Sequence, residues 1–241
     1  MFSVEKVGLD FLTSICSLLQ SSFINKLKGS IYTSPKIINY MHELLSSDVN
    51  TFWGLFFNGN IVGFLHAKQM NGSIHLNNIM ILEEYQGVGS GGLLMKAFLE
   101  QSIETRSFMT LDVDSRNIKA VAWYKKLGFQ EINKTYVYFL PSKNPPSVSF
   151  YDIFEIENLD AFNDFGFGFG SMKDQSNSRV GLILPNIIRV ENFECCKQSF
   201  NNLVFSLDGY DRYFFSNKNV TPPCEKLLSW QLLRLEKVND F

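Results

Sequence analysis

Apolar and polar positions change period several times along this chain, and those changes lay out its elements. Phe2 to Val7 reads as a short strand. Phe11, Ile15, Leu18, Leu19 and Phe23 then recur at helical spacing, and so do Ile37, Met41, Leu44 and Leu45 after a Ser34-Pro35 start signal. Thr51–Phe57 and Ile61–Ala67 are strand-like runs around Asn58-Gly59-Asn60, a good hairpin turn. Asn71-Gly72 leads into a third run, Ile74–Leu82. Leu93, Leu94, Ala97 and Phe98 open a helix that the pattern carries to about Thr105. Met109, Leu111 and Val113 alternate with Thr110, Asp112 and Asp114, as a half-buried strand does. Asn117 to Leu127 follows as a helix, Gly128 is placed to end it, and Phe129–Leu140 supplies one or two closing strands.

The pattern weakens after Leu140. Pro141-Ser142-Lys143-Asn144-Pro145-Pro146-Ser147 is rich in breakers and reads as a linker. The expected division is a first domain over 1–142, a linker over 143–149 and a smaller α/β domain over 150–241. Phe150–Ile156, Val180–Val190 and Tyr210–Phe215 are expected strands, with a helix between Phe193 and Leu203. Phe165, Phe167 and Phe169 alternate with glycine, which suits ordinary packing on one face of an extended segment. Leu227–Val238 fits either helix or strand.

Composition narrows the class. Hydrophobic residues make up 45% and charged residues 19% of 241, as in a globular protein rather than a disordered one. The net charge of −2 advertises neither nucleic acid nor a membrane surface. No apolar run reaches the length of a membrane span, and no signal pattern is visible. Cys16, Cys195, Cys196 and Cys224 have neither metal-type nor disulfide-framework spacing, so a reducing cytoplasm is expected and no metal site. His42-Glu43 lacks a second histidine one turn on, which leaves His42 as a surface helix residue.

The chemistry concentrates between Ile79 and Leu94, where a strand, a polar turn and a glycine loop run into a helix. Gly87, Gly89, Gly91 and Gly92 remove side chains where a backbone must come close to something. Unpaired N–H groups from Gly87 through Val88, Gly89, Ser90, Gly91 and Gly92, at the positive end of a helix dipole, suit a phosphate or pyrophosphate. Two fingerprints overlap here. Gly87-Val88-Gly89-Ser90-Gly91-Gly92 fits G-x-G-x-x-G, with Asp112 at about the 20-residue distance of a ribose-binding acid. A dinucleotide fold, however, brings its strand straight into the first glycine, whereas Glu83, Glu84, Tyr85 and Gln86 intervene here. The second fingerprint is Q/R-x-x-G-x-G/A, matched by Gln86, Gly89 and Gly91.

That second pattern resembles the pyrophosphate loop of the GNAT superfamily of acyl-CoA N-acyltransferases. Asn117-x-x-Ala120-x-x-x-Tyr124-x-x-x-Gly128-Phe129 resembles that family's next motif, in order and at the expected distance. The resemblance covers about Met1 to Leu140. It implies a mixed α/β fold with a mostly antiparallel central sheet flanked by helices. Strand–helix alternation in the remainder is compatible with a degenerate GNAT-like lobe, although no second glycine loop supports one.

Carried over residue by residue, the resemblance implies acetyl-CoA as co-substrate, with Gln86 and Gly87–Gly92 around its pyrophosphate. Ile79, Met80 and Ile81 would pair their backbone with the pantetheine arm, and plain core burial of the three is compatible with that. Asn117 has two readings, contact with the cofactor or capping of the following helix. Tyr124 is the implied general acid for the leaving thiolate. The base is open. Asp112 corresponds by position to a glutamate of the branch that acetylates protein N-termini, but is one methylene shorter, which favours a water relay. Asp114, Glu83, Glu84 and His75 are alternatives.

The expected activity is therefore N-acetyl transfer to an amine-bearing small molecule or protein. A non-catalytic acyl-CoA-binding protein and a nicotinamide-dependent oxidoreductase are the competing readings. The sequence is compatible with a homodimer and does not identify the acceptor.

Overall fold

The computed structural model describes residues 1–23, 31–102, 108–142, 154–172, 180–183, 187–190, 209–217 and 228–238. Its strands are β1 (Phe2–Val7), β2 (Asn50–Phe57), β3 (Asn60–Met70), β4 (Ser73–Ile81), β5 (Phe108–Asp114) and β6 (Gln130–Leu140) in the first half. The second half adds β7 (Phe154–Ile156), β8 (Phe167–Met172), β9 (Val180–Ile183), β10 (Ile187–Val190), β11 (Asp211–Ser216) and β12 (Leu228–Val238). The helices are α1 (Leu12–Phe23), α2 (Ile37–Ser46), α3 (Ser90–Ser102), α4 (Ile118–Lys126) and α5 (Leu159–Phe165).

All 12 strands form one sheet, in the order β1-β2-β3-β4-β5-β12-β6-β11-β10-β9-β8-β7. Helix α1 packs with α2 on one face, where Ile15, Leu19, Ile37 and Met41 bury against Phe52, Phe64 and Met80. On the opposite face Leu94, Met95 and Phe98 of α3 and Tyr124 of α4 bury against Leu65, Leu76, Leu111 and Leu235. The strict alternation of β5 splits between these faces, with Met109, Leu111 and Val113 in the α3–α4 core.

The order reads the same from either edge. From β1 inward the pairings are antiparallel three times and then parallel between β4 and β5. From β7 inward they are again antiparallel three times and then parallel between β10 and β11. The two closing strands are exchanged, since β12 pairs with β5, β6 pairs with β11, and β6 and β12 pair with each other at the centre. The second half thus repeats the strand plan of the first.

The strands on either side of the expected 143–149 linker share one sheet. Among the described residues, the strands of the second half join the sheet of the first, and β12 lies between β5 and β6. Leu235 of β12 is fully buried there and Leu233 nearly so. Local breaker composition reports where a chain turns, not which strand it pairs with next. Residues 143–150 themselves lie outside the described residues.

Smaller expectations also change. Lys36, not Ser34, is the N-cap of α2; the Ser34 hydroxyl donates to the Phe165 carbonyl and accepts the Lys36 N–H. Phe129–Leu140 gives one strand, and Val180–Val190 gives two. Phe165 belongs to α5, which ends at Gly166 with φ of 74°; Phe165 and Phe167 both pack edge-on against Tyr40 of α2. Leu228–Val238 is strand. The helix expected over 193–203 and three of the four cysteines lie outside the described residues. Cys16 is buried with a free thiol, His42 is exposed, and the described residues hold no cluster of metal-ligating side chains. No helix among them is long and apolar enough to cross a membrane.

Candidate active site

The parallel pair β4–β5 is joined only from Ser73↔Phe108 to Leu76↔Leu111. Beyond Leu76 the two strands part. The cause is visible on the other side of β4, where the register with β3 steps from Ala67↔Leu76 to His66↔Asn78 and leaves Asn77 as an extra residue. From the bulge to Ile81, the edge of β4 that faces β5 has no strand partner among the described residues. Ile79, Met80 and Ile81 lie on this open stretch. Ile79 and Ile81 also pack on the α3–α4 core and Met80 is buried on the α1–α2 side, so burial of side chains and an open backbone edge coexist.

A short 3-10 turn, Glu83–Tyr85, carries the chain from β4 into the glycine loop. Gly87 and Gly89 have φ of 79° and 89°, the left-handed region that side chains with a Cβ rarely adopt. Gln86 does not point away from the protein; its side-chain amide donates to the Ile81 carbonyl at 2.7 Å and ties the loop to the end of β4. Ser90 is buried and its hydroxyl donates to the Tyr85 carbonyl. The Leu93 N–H is the first to turn back, onto the Gly89 carbonyl. Among the described residues, the N–H groups of Val88, Gly89, Ser90, Gly91 and Gly92 have no protein acceptor. Val88 stands exposed, and nothing lies within 4 Å of where a Cβ on Gly87, Gly89 or Gly92 would be. A Cβ on Gly91 would meet Ile81 and the Trp123 ring at 3.4 and 3.5 Å. An open cradle of amides at a helix start, five residues from the free edge of β4, fits a phosphorylated, amide-bearing ligand.

Asn117 caps α4, with its Oδ1 accepting the Ala120 N–H at 3.2 Å. Capping is therefore realised, and Nδ2 is the part of this side chain left for a ligand. Tyr124 lies about two turns further on, buried between Trp123 and Phe129. Burial holds its phenol above the ordinary tyrosine range, so it stays protonated at neutral pH.

Asp112, the expected base candidate, stands one residue past the last residue of β5 that pairs with β4, on the α1–α2 face. Arg234 grips both of its oxygens, Nε to Oδ1 at 2.8 Å and Nη2 to Oδ2 at 2.6 Å. Sequence reading missed Arg234, because no local signal tells that a residue 122 positions away pairs opposite Asp112. Asp114 is held in the same manner by Arg116, whose guanidinium also lies 3.9 Å over the Trp230 ring. His75 is paired with Thr110 across β4–β5, its Nδ1 2.9 Å from the Thr110 Oγ1 and its Nε2 3.9 Å from the Asp112 Oδ2. Burial lowers the His75 pKa, with Asp112 pulling the other way and Arg234 and Lys68 adding to the fall. Glu83 and Glu84 sit on the 3-10 turn that leads into the glycine loop. Two further polar groups lie behind: Asn78 Nδ2 donates to the Tyr32 hydroxyl at 2.7 Å, and His66 Nε2 lies 2.9 Å from the Asn50 Oδ1.

Residues 12–129 match the model of the Acetyltransferase (GNAT) family, and that part of the chain is a GNAT acetyltransferase domain. The spermine/spermidine N(1)-acetyltransferase of Bacillus subtilis (strain 168) is 31% identical over 87 residues, 32% of this chain and 57% of that protein. The chain thus spans little more than half the length of the curated relatives it matches. A solved protein of Pyrococcus horikoshii, assigned to the acetyltransferases, shares the fold along 99% of this chain and 90% of its own, with a TM-score of 0.64 and 12% identity. The ribosomal-protein-S18-alanine N-acetyltransferase of Escherichia coli covers 61% of this chain and 86% of its own, with a TM-score of 0.48 and 18% identity.

Proposed function

We propose that this protein is an acetyl-CoA-dependent N-acetyltransferase acting on a primary amine. The observation that carries the reading is the parting of β4 from β5 directly below the glycine loop, with the Val88–Gly92 amides free. Those amides and the Asn117 Nδ2 would hold the pyrophosphate end, and the free edge of β4 from Asn77 to Ile81 would pair with the pantetheine amides. When bound, acetyl-CoA supplies an activated acetyl group as a thioester. A backbone N–H of the Ile79–Ile81 stretch would polarise the thioester carbonyl as an oxyanion donor. Tyr124 supplies a proton to the thiolate as the C–S bond breaks and takes one back from the nitrogen that has formed the new C–N bond. The net change is one amide, one thiol and one proton released.

The curated relatives are named for spermine and spermidine, which makes a polyamine the first acceptor to try. Purified protein incubated with acetyl-CoA and spermidine should release free thiol and yield a product one acetyl group heavier. A panel of primary amines, including peptide N-termini, extends the test. A protein that binds acetyl-CoA yet acetylates no amine would favour the non-catalytic reading. The oxidoreductase reading gains nothing from the fold, whose sheet is mostly antiparallel around the loop.

A further inference from the structure

We propose that the acceptor ammonium docks between His75 Nε2 and Asp112 Oδ2, that His75 removes its proton, and that Arg234 from the exchanged strand is the positioning residue of this pair. The inference rests on the acetyltransferase reading and names the base within it.

The geometry carries the idea. His75 and Asp112 lie on the same face of neighbouring strands and straddle the point where β4 and β5 part. Their facing atoms are 3.9 Å apart, too far for a hydrogen bond to each other. One nitrogen within ordinary hydrogen-bond distance of both atoms fills that gap, at a near-right angle between the two bonds. An ammonium has donors to give each, one to the imidazole nitrogen and one to the carboxylate. Nδ1 lies 2.9 Å from Thr110 Oγ1, and the tautomer that carries its proton there keeps the Nε2 lone pair for the amine; the ring is half-buried.

Asp112 by itself is poorly suited to be the base. Both oxygens already accept from Arg234, so neither is free to take a proton directly from the amine. Its part is to anchor the ammonium and then to face the imidazolium. The proton balance is simple. One N–H bond of the ammonium breaks, an Nε2–H bond forms, and the amine gains the lone pair with which it attacks the acetyl carbon. The imidazolium returns its proton to solvent after product leaves.

The charged and titratable groups around His75 come from three strands. Asp112 lies on β5, Arg234 on β12, and Lys68 and His66 on β3. Only Asp112 favours the charged ring. Arg234 therefore does two things: it fixes the carboxylate, and it keeps the imidazole neutral before the amine arrives. The second half of the chain contributes this residue, which makes the exchanged strand a part of the site.

The chain contains 3 histidines, so 15N-histidine labelling of the full chain resolves them. Titration with butylamine at neutral pH should move the His75 Nε2 resonance saturably and leave the exposed His42 unchanged. Asp112→Asn should weaken that titration tenfold or more. In the acetyl-transfer assay His75→Gln should lose at least a hundredfold in kcat with the KM for acetyl-CoA unchanged. Arg234→Gln should move the acidic limb of the pH profile to higher pH, and Arg234→Lys should restore it in part. Equal shifts at His75 and His42, no shift at His75, or wild-type turnover by His75→Gln would overturn the proposal. Failure of the wider reading shows separately, as absence of acetyl-CoA binding in calorimetry, and the histidine titration still decides this one.

Discussion

Arg234 and Asp112 form a bidentate ion pair between the last strand of the chain and the fifth, 122 residues earlier. Both side chains are partly exposed, at 48% and 38%, so water screens much of the attraction. The pair positions groups more than it holds the fold. Arg234→Gln is expected to cost no more than about 1 kcal/mol of stability in urea unfolding.

Leu235, the next residue along, has the opposite weight. It is fully buried among Leu111, Met109 and Phe129 in the α3–α4 core. Leu235→Ala should cost about 2–5 kcal/mol, because a cavity is left at the centre of the sheet. If the second half were an independent domain, that loss would leave the unfolding of the first half unchanged. A single shifted transition in a chemical denaturation curve is expected instead.

The loop glycines separate by conformation. Gly89 has φ of 89° with open space at its Cβ position, so alanine there suffers backbone strain and no clash. Gly92 has the same open space without the positive φ, inside the first turn of α3. Gly89→Ala should lose about 1–2 kcal/mol and weaken acetyl-CoA binding, whereas Gly92→Ala should hold or raise stability. Differential scanning of the two variants with and without acetyl-CoA checks both halves of that statement.

Tyr124→Phe removes one buried hydroxyl and keeps the ring contacts with Trp123 and Phe129. Folding and acetyl-CoA affinity should be retained while turnover falls by about 10²–10⁴, the ordinary range for loss of a general acid. Thiol-release kinetics beside a binding titration distinguish this from a packing role, which would lower stability and spare kcat.

His66 makes acid stability predictable. Its ring stacks on Phe52 at 4.2 Å, Nε2–H donates to Asn50, and Nδ1 is buried with no partner. Burial is the main cause that lowers its pKa from 6.5 to about 3. Between those values the unfolded chain binds a proton that the folded chain refuses, so stability is full above about pH 6.5 and falls as pH drops towards 3. The slope for one such proton is at most about 1.4 kcal/mol per pH unit. His75 adds in the same direction. His66→Gln should flatten the acid limb of urea unfolding measured over that window, and an unchanged limb would refute the assignment.

The legible parts of this protein are those written locally. The hairpin at Asn58-Gly59, the glycine loop and the Asn117–Gly128 motif each depend on neighbours in sequence, and the structure has all of them in place, with φ of 50° and 82° at the hairpin. What the sequence concealed is strand exchange. β12 has the same alternating pattern wherever it pairs, so nothing in Leu228–Val238 says that it enters between β5 and β6. The partner of Asp112 was hidden for that reason. The bulge at Asn77 was hidden too, since one extra residue in a run of apolar and amide side chains leaves no compositional mark.

The central claim is that the loop from Gly87 to Gly92 grips the pyrophosphate of acetyl-CoA, and one calorimetric titration tests it most directly. Wild-type protein should bind acetyl-CoA and not NAD, and Gly89→Asp, which sets a carboxylate among the free amides, should abolish the binding while the fold persists by circular dichroism. Equal acetyl-CoA affinity in the wild type and in Gly89→Asp, or no affinity in the wild type, would contradict the account.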